Sequence, residues 1–258
     1  MLPGASANKS NFFARLNTYR NTPKLIVLAK LIRRIFFATL EFFYLPKLRK
    51  NYRHLKFGSH AIQKLIEDIE FKTVLDVGSG EGLHSDLFLR NKKTVTAIDY
   101  GDSVYFKNLI GSISTIVGDI NEYGFSQKFD VVCCSHVLEH QLNVNSFLKR
   151  LYSLIEDGGF LAIAVPPSRS TVVGGHVTNW TAGLLLYNLV LAGFDCSNAK
   201  ILSYGYNISV IVQKKRSDTA LPNLGYDVGD IRLIKSFLPK LKYFTTDLDD
   251  PFFGYILI

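Results

Sequence analysis

The chain has 258 residues and 29.0 kDa, with 47% hydrophobic and 20% charged residues, 19 Gly and 8 Pro. A sequence this apolar can bury enough surface to offset its ordering entropy, which excludes collagen, coiled coil and a disordered chain and leaves one medium domain with extensions. Net charge is +8, but residues 1–56 hold twelve Lys and Arg against Glu41 alone, so the rest of the chain is net −3 and a nucleic-acid-sized basic face is not expected.

The basic head divides at Pro23 and Pro46, and Met1 to Asn21 has no apolar core, so no signal peptide is expected there. Lys24 to Leu45 is apolar but interrupted by Lys30, Arg33, Arg34 and Glu41, which fall on one stripe at the helical period. A membrane-spanning helix needs about 20 residues with few charges. The expectation is a basic amphipathic helix, packed on the body or on a second copy, or lying on an anionic membrane surface through residues 24–56.

From Ser59 helices and strands alternate. Helix is expected at His60–Glu70, strand at Thr73–Val77, helix at Leu83–Arg90, and strands at Thr94–Ile98, Ser114–Val117 and Phe129–Cys134. A helix over Asn145–Ile155 stops at Asp157-Gly158-Gly159, and the strand Phe160–Val165 stops at Pro166-Pro167. A helix over Thr181–Ala192 precedes a hairpin of Phe194–Ser203 and Ile208–Lys214, and a short helix is placed at Asp230–Leu238. The pattern implies an α/β fold with a parallel sheet covered on both faces. The organisation read from it is a helical basic extension at 1–58, a body at 59–214 and a C-terminal extension at 215–258. Three cysteines, two of them the adjacent Cys133 and Cys134, are expected as thiols in a reducing, cytoplasmic setting.

Ligands of open α/β sheets bind beyond the carboxyl ends of the strands. The first strand ends in Asp76-Val77-Gly78-Ser79-Gly80-Glu81-Gly82, where the third glycine falls one residue early for a dinucleotide loop. Its acids suit a ligand bearing positive charge rather than a pyrophosphate. The next marks are Asp99 ending the second strand, Gly118-Asp119 after the third, Phe129-Asp130 opening the fourth, then His136-Val137-Leu138-Glu139-His140.

This ordered set resembles the class I S-adenosylmethionine-dependent methyltransferases over about residues 59–214. The resemblance implies a Rossmann-like, seven-stranded, mostly parallel sheet with a terminal antiparallel hairpin, and S-adenosylmethionine as cofactor. It places Gly78 and Gly80 beside the methionine part, Asp99 on the ribose hydroxyls and Asp119 with Ile120 on the adenine. Asp76, Ser79, Tyr100 and Ser135 complete the implied cofactor set. A carboxylate can accept two hydroxyl bonds and an exocyclic amine donates, so these roles are chemically apt; Asp99 as a helix cap and Asp119 as a turn residue are the alternatives.

Methyl transfer to an alcohol benefits from a base or a metal. His136, Glu139 and His140, with His136 and His140 four apart on one helix face, and His176 in His176-Val177-Thr178-Asn179-Trp180-Thr181, supply both options. The set is similar to the E-x-x-E-H and H-x-x-x-W-T metal pattern of small-RNA 2′-O-methyltransferases, which implies Glu139, His140 and His176 as ligands of a divalent metal; His136 stands where that pattern has Glu. The alternative is a metal-free site with His136, His140 or His176 as general base. Arg169 is a candidate for a phosphate or carboxylate. A looser resemblance to bacterial surface-polysaccharide methyltransferases, together with the basic head, leads to the expectation of O-methylation of a sugar hydroxyl at the cytoplasmic membrane face. The rivals are a small-molecule O- or N-methyltransferase, an RNA 2′-O-methyltransferase and a silent scaffold.

Overall fold

A computed structural model describes residues 45–110, 113–215 and 221–239. The predicted amphipathic helix over Lys24 to Leu45, all but its last residue, and the apolar end 251–258 lie outside the described residues. Among the described residues no helix is long and apolar enough to cross a membrane.

The elements run α1 (Ser59–Asp68), β1 (Thr73–Val77), α2 (Leu83–Arg90), β2 (Thr94–Asp99), β3 (Thr115–Val117), β4 (Phe129–Ser135), α3 (Val144–Leu154), β5 (Ile155–Val165), α4 (Ala182–Leu191), β6 (Lys200–Tyr204), β7 (Asn207–Gln213) and α5 (Asp230–Ile234). The strands form one seven-stranded sheet in the order β3-β2-β1-β4-β5-β7-β6. All neighbours from β3 to β5 pair in parallel, whereas β7 runs antiparallel to both β5 and β6. The α/β fold with its terminal hairpin is therefore as expected. The order reverses between β1 and β4, which opens a crevice at their carboxyl ends.

Strand alternation sends successive side chains to opposite faces. Val74, Val131, Cys133, Ala162 and Ile211 pack under Ile62 and Leu65 of α1 and Phe88 of α2. Leu75, Val77, Val132, Cys134, Leu161 and Ile163 pack on the other face against Leu148 and Leu151 of α3, Leu185 and Leu189 of α4, and Ile234 of α5. All three cysteines are buried free thiols.

Two features differ from the sequence reading. Leu48, rather than Ser59, opens the compact unit that holds the sheet. Tyr52 and Leu55 are buried in the core beneath α1, so the stretch 48–58, which charge alone groups with the basic head, packs with the body. The second is Asp157-Gly158-Gly159, read as a helix stop but found inside β5. Between Phe129 and Val131 on β4 the paired residue jumps from Ile155 to Phe160, and β5 absorbs the extra residues in a bulge. Gly158 takes φ +87° there, and a Cβ on Gly159 would come within 2.6 Å of the Asp130 carbonyl.

Candidate functional site

The crevice begins at the β1–α2 loop. Gly78, Gly80 and Gly82 all have positive φ (69°, 50° and 80°), which lets the chain reverse within five residues. A Cβ on Gly78 would lie 2.2 Å from Val137 Cγ2, so that glycine is needed for space as well as for conformation. The loop is pinned to the next strand: the Gly78 N–H donates to the Ile98 carbonyl at 2.8 Å and the Gly80 N–H donates to Asp99 Oδ2 at 2.9 Å. Asp99 Oδ1 accepts from the Gly101 N–H at 3.0 Å, so each oxygen keeps a lone pair for a hydroxyl.

The cleft has a volume of about 520 Å³, inside the range of small-molecule sites. Gly78, Ser79, Gly80, Asp99, Tyr100, Ile120 and Ser135 of the expected cofactor set line it. The hydroxyls of Ser79 and Ser135 are buried with no partner, which fits a polar ligand that would supply one. Glu81 and Asp99 bring negative charge to a wall that also carries Lys56 and is mostly apolar.

Two members of the set are placed elsewhere. Asp76 points to the same face as Val74, away from the cleft, and accepts from the Ser85 hydroxyl of α2 at 2.7 Å. Burial pushes its carboxyl above the ordinary carboxylate value, against the opposing pull of His84 and Ser85. Asp119 lies between two cleft residues without lining the cleft itself, and its Oδ1 accepts from the backbone and side-chain nitrogens of Asn121. Burial, and then the Asp119 carboxylate beside it, raise the Tyr100 phenol.

The acceptor end follows β4. His136 takes φ +56°, and only Leu138–His140 makes a short 3-10 turn, so His136 and His140 do not share a helix face as expected. The turn brings both imidazoles toward Glu139 nonetheless. His136 Nδ1 lies 3.3 Å and His140 Nε2 3.9 Å from Glu139 Oε1. Glu139 is 1% exposed, and neither of its carboxylate oxygens has a hydrogen-bond partner. The loop carrying His176 is docked through Glu139 itself, whose carbonyl accepts from the N–H groups of Val177 (2.8 Å) and Thr178 (3.3 Å). Buried Trp180 donates to the Thr178 hydroxyl at 3.0 Å and holds the far end. His140 and His176 meet edge to face with ring centroids 5.1 Å apart. One ligand atom from each of Glu139, His140 and His176 lies within 4.8 Å of the others, so these donors converge as a divalent-metal site requires. Burial lowers the His176 imidazole below its ordinary value, with His140 and His136 adding to the shift and Glu139 opposing it.

Asp76, His84 and Cys133 form another convergent trio. There burial holds the Cys133 thiol far above its ordinary value. A protonated thiol is a poor ligand, and the trio is packing.

Several site residues have no motif to announce them. Lys56 and Phe57, at the start of the body, line the cleft with Tyr105. Phe57 stacks on His136 with centroids 4.0 Å apart, and its carbonyl accepts from His84 Nε2 at 3.0 Å. Asn207, read as part of a hairpin turn, accepts at Oδ1 from the Gly58 N–H (2.9 Å) and from His136 Nε2 (3.1 Å). The available signals were Tyr52 and Leu55 as apolar residues inside a basic run, and Asn207 as an amide next to an apolar strand. Arg169 lies over the Tyr206 ring at 4.3 Å, near His136.

A parallel sheet closed by a reversed strand, with an acid- and glycine-lined crevice at its switch point, defines the class I methyltransferase fold. The family model described as a methyltransferase domain matches residues 48–212, and the chain belongs to that family. Its start at residue 48 agrees with the compact unit. Among solved structures, the chain is similar to Burkholderia thailandensis 1,6-didemethyltoxoflavin-N1-methyltransferase with bound S-adenosylhomocysteine (TM-score 0.53, 18% identity, 73% of this chain and 89% of that one). It is similarly related to a Haloferax volcanii methyltransferase in complex with the Trm112 activator (TM-score 0.53, 15% identity, 63% and 90%). Curated relatives include a ubiquinone biosynthesis O-methyltransferase of Rickettsia conorii, 32% identical over 40% of this chain and 37% of that protein. A malonyl-[acyl-carrier protein] O-methyltransferase of Calditerrivibrio nitroreducens is 24% identical over 55% and 59%. The chain thus spans less than two thirds of the length of either relative.

Proposed function

We propose that this chain is an S-adenosylmethionine-dependent O-methyltransferase whose acceptor hydroxyl, on a small organic molecule or a carrier-linked group, docks against Glu139, His140 and His176. The observation that carries this is the buried Glu139 carboxylate, partnerless at both oxygens and faced by two histidines at the rim of the glycine-loop cleft. A carboxylate buried without partners costs folding free energy, about 1–3 kcal/mol or more, and such groups are kept where a ligand uses them. An amine acceptor needs no such cluster.

In the reaction the methyl carbon breaks its bond to the sulfonium sulfur, which keeps the electron pair and becomes a neutral thioether, and bonds the acceptor oxygen, which loses its proton. Asp99 and the partnerless Ser79 and Ser135 hydroxyls bind the nucleoside and amino-acid parts, and Glu81 and Asp99 favour the positive ligand over its neutral product. Phe57, Tyr105 and Val137 exclude water from the transfer line. A divalent cation held by Glu139, His140 and His176 would supply a Lewis acid that lowers the hydroxyl's pKa. A cation-free reading is favoured by His176, whose imidazole burial keeps neutral near pH 7 and able to take that proton.

Both relatives' names specify O-methylation, one in ubiquinone biosynthesis and one on a malonyl carrier protein. They favour a small or carrier-bound acceptor over the surface glycan that the histidine-rich side and the basic head suggest. Arg169 over Tyr206 offers a docking point for an acidic group on such an acceptor. The test is transfer of labelled methyl from S-adenosylmethionine to a panel of a catechol, a malonyl carrier protein, a primary amine and a lipid-linked glycan. Labelled methyl ether supports the proposal; label found only on nitrogen, or only as a methyl ester of the malonyl carboxylate, which has no proton to give up at neutral pH, overturns the hydroxyl acceptor.

A further inference from the structure

Asp119, the residue expected on the adenine, does not line the cleft, so the base needs another partner. The sheet order places Asp99 of β2 between the glycine loop after β1 and the turn after β3. With Asp99 on a ribose and the glycine loop beside the methionine part, the base extends towards β3, where Gly118 and Ile120 line the cleft. The polar side chain that reaches this turn from across the crevice is Gln141, buried at 7% exposure and part of the cleft wall. A side-chain amide has two N–H donors and two acceptor lone pairs. Among the described residues Gln141 uses one of each, both at the outer limit of a hydrogen bond. Asn121 Nδ2 donates to its Oε1 at 3.4 Å, and its Nε2 donates to the Val137 carbonyl at 3.5 Å. One donor and one acceptor are left open side by side in a buried place, where polar groups are ordinarily paired.

The sense of this amide is set at both of its ends. A main-chain carbonyl can only accept, so the Gln141 atom facing Val137 is the nitrogen. At the other end Asp119 Oδ1 accepts from the Asn121 backbone N–H at 2.8 Å and from its side-chain nitrogen at 2.9 Å, which turns that nitrogen, a donor, towards Gln141 Oε1. The turn carrying Asn121 is itself braced. The Asp119 carbonyl accepts from the N–H groups of Glu122 (3.1 Å) and Tyr123 (2.8 Å), and Arg150 Nε donates to the Ile120 carbonyl at 3.1 Å. Purines differ in the sense they present. Adenine sets an amine donor beside a ring-nitrogen acceptor, and a glutamine amide matches that pair with its oxygen and an N–H. Hypoxanthine has a carbonyl oxygen where adenine has the amine, and its N1 carries a hydrogen, so the same edge runs the opposite way. An amide free to turn would flip and bind either base; one held by Asn121 and Val137 fits adenine.

We infer that Gln141 reads the adenine of the cofactor, accepting from its amine and donating to the ring nitrogen beside it, and that Asn121, anchored by Asp119, is a positioning residue that fixes the sense of the amide and so selects adenine over hypoxanthine. This deepens the proposed function and rests on its assignment of S-adenosylmethionine to the cleft.

The test measures binding of S-adenosylhomocysteine and of its hypoxanthine analogue, S-inosylhomocysteine, to the full chain by calorimetry, with a melting curve on every variant. The parent should prefer the adenine ligand by about 5–150-fold, the discrimination of one good bidentate pair. Gln141→Leu should lose most of that preference through weaker S-adenosylhomocysteine binding, with the analogue little changed. Asn121 is exposed, so Asn121→Ala should keep the melting temperature. It should narrow the preference by about 2–10-fold, the scale of one hydrogen bond, chiefly because the analogue binds better. A parent that binds both ligands equally, or a folded Gln141→Leu that keeps the preference or weakens both ligands alike, overturns Gln141 as the reader and leaves the methyltransferase reading standing. An unchanged preference in Asn121→Ala overturns the positioning role. No heat from S-adenosylhomocysteine on the folded parent overturns the methyltransferase reading itself, and this inference with it.

Discussion

The two ends of the cleft are built on opposite principles. At the glycine-loop end the loop and Asp99 are tied by backbone groups of the adjacent strand and its turn: the Gly80 and Gly101 N–H groups hold Asp99, and the Ile98 carbonyl holds Gly78. At the histidine end a buried carboxylate has no hydrogen-bond partner, His136 sits in the left-handed region, and the contacts join residues 58, 139, 176 and 207 from four separate segments. The first end is a scaffold that accepts a ligand without rearranging. The second leaves a buried carboxylate without a partner, a cost in stability of the kind that functional sites commonly carry.

The sharpest way to break this contrast is to remove one imidazole from the unsatisfied end. His176→Ala should lower turnover by about 10²–10⁴-fold, the usual range for loss of a catalytic acid or base, while S-adenosylhomocysteine affinity by calorimetry stays within twofold. A parallel loss of affinity would show that the two ends are not separable. At the scaffold end, Gly78→Ala forces a Cβ to within 2.2 Å of Val137 and strains a φ of +69°. With about 1–3 kcal/mol of backbone strain added to the clash, S-adenosylhomocysteine affinity should fall at least about tenfold. Gly78→Ala/Val137→Ala should recover only part of it. Asp99→Ala should weaken the same binding by about 1.5–3 kcal/mol, the scale of hydrogen bonds to a charged group.

Two smaller effects bear on stability. Replacing the partnerless carboxylate by an apolar side chain, Glu139→Met, should raise the melting temperature by a few degrees while abolishing transfer. A lowered melting temperature would mean that Glu139 is structural. Asp130 gives the converse case. Burial raises its carboxyl, but the N–H groups of Thr73 and Lys72 and the Thr73 hydroxyl outweigh that and hold it below its ordinary value. A depressed folded-state value means a stabilisation that is present above the unfolded carboxylate pKa of about 4 and lost as pH falls through the folded value. Asp130→Ala should therefore destabilise by about 1–2 kcal/mol at pH 7, with the gap to the parent closing below about pH 4 in denaturant melts.

The same contrast explains what was legible. Strands β1 and β2, the glycine loop and Asp99 are local in sequence, and their patterns place them to within a residue or two. Asp76 was assigned to the cleft because it precedes the loop; strand alternation turns it to the opposite side, where Ser85 takes it. The convergence of Glu139, His140 and His176 was expected from a motif, but the helix face imagined for His136 and His140 was not found, because a residue at φ +56° cannot continue a helix. Asn207 and Phe57 stayed hidden because nothing in a linear chain marks a residue whose partner is 71 or 79 positions away.

The reversal of β7 has a consequence for how such a chain can change its chemistry. Because it runs against β5, its first residue rather than its last is delivered to the rim where the parallel strands finish, and Ile208 pairs with Val165 there. The tight link Tyr204–Asn207 that precedes it has Gly205 at φ +49°, where an added Cβ would meet nothing within 4 Å. Residues inserted at that link would change the surroundings of His136, whose ring lies 5.8 Å from that of Tyr206, while leaving the glycine loop untouched, so an edge turn is a place where the cleft's surroundings can vary without altering the sheet.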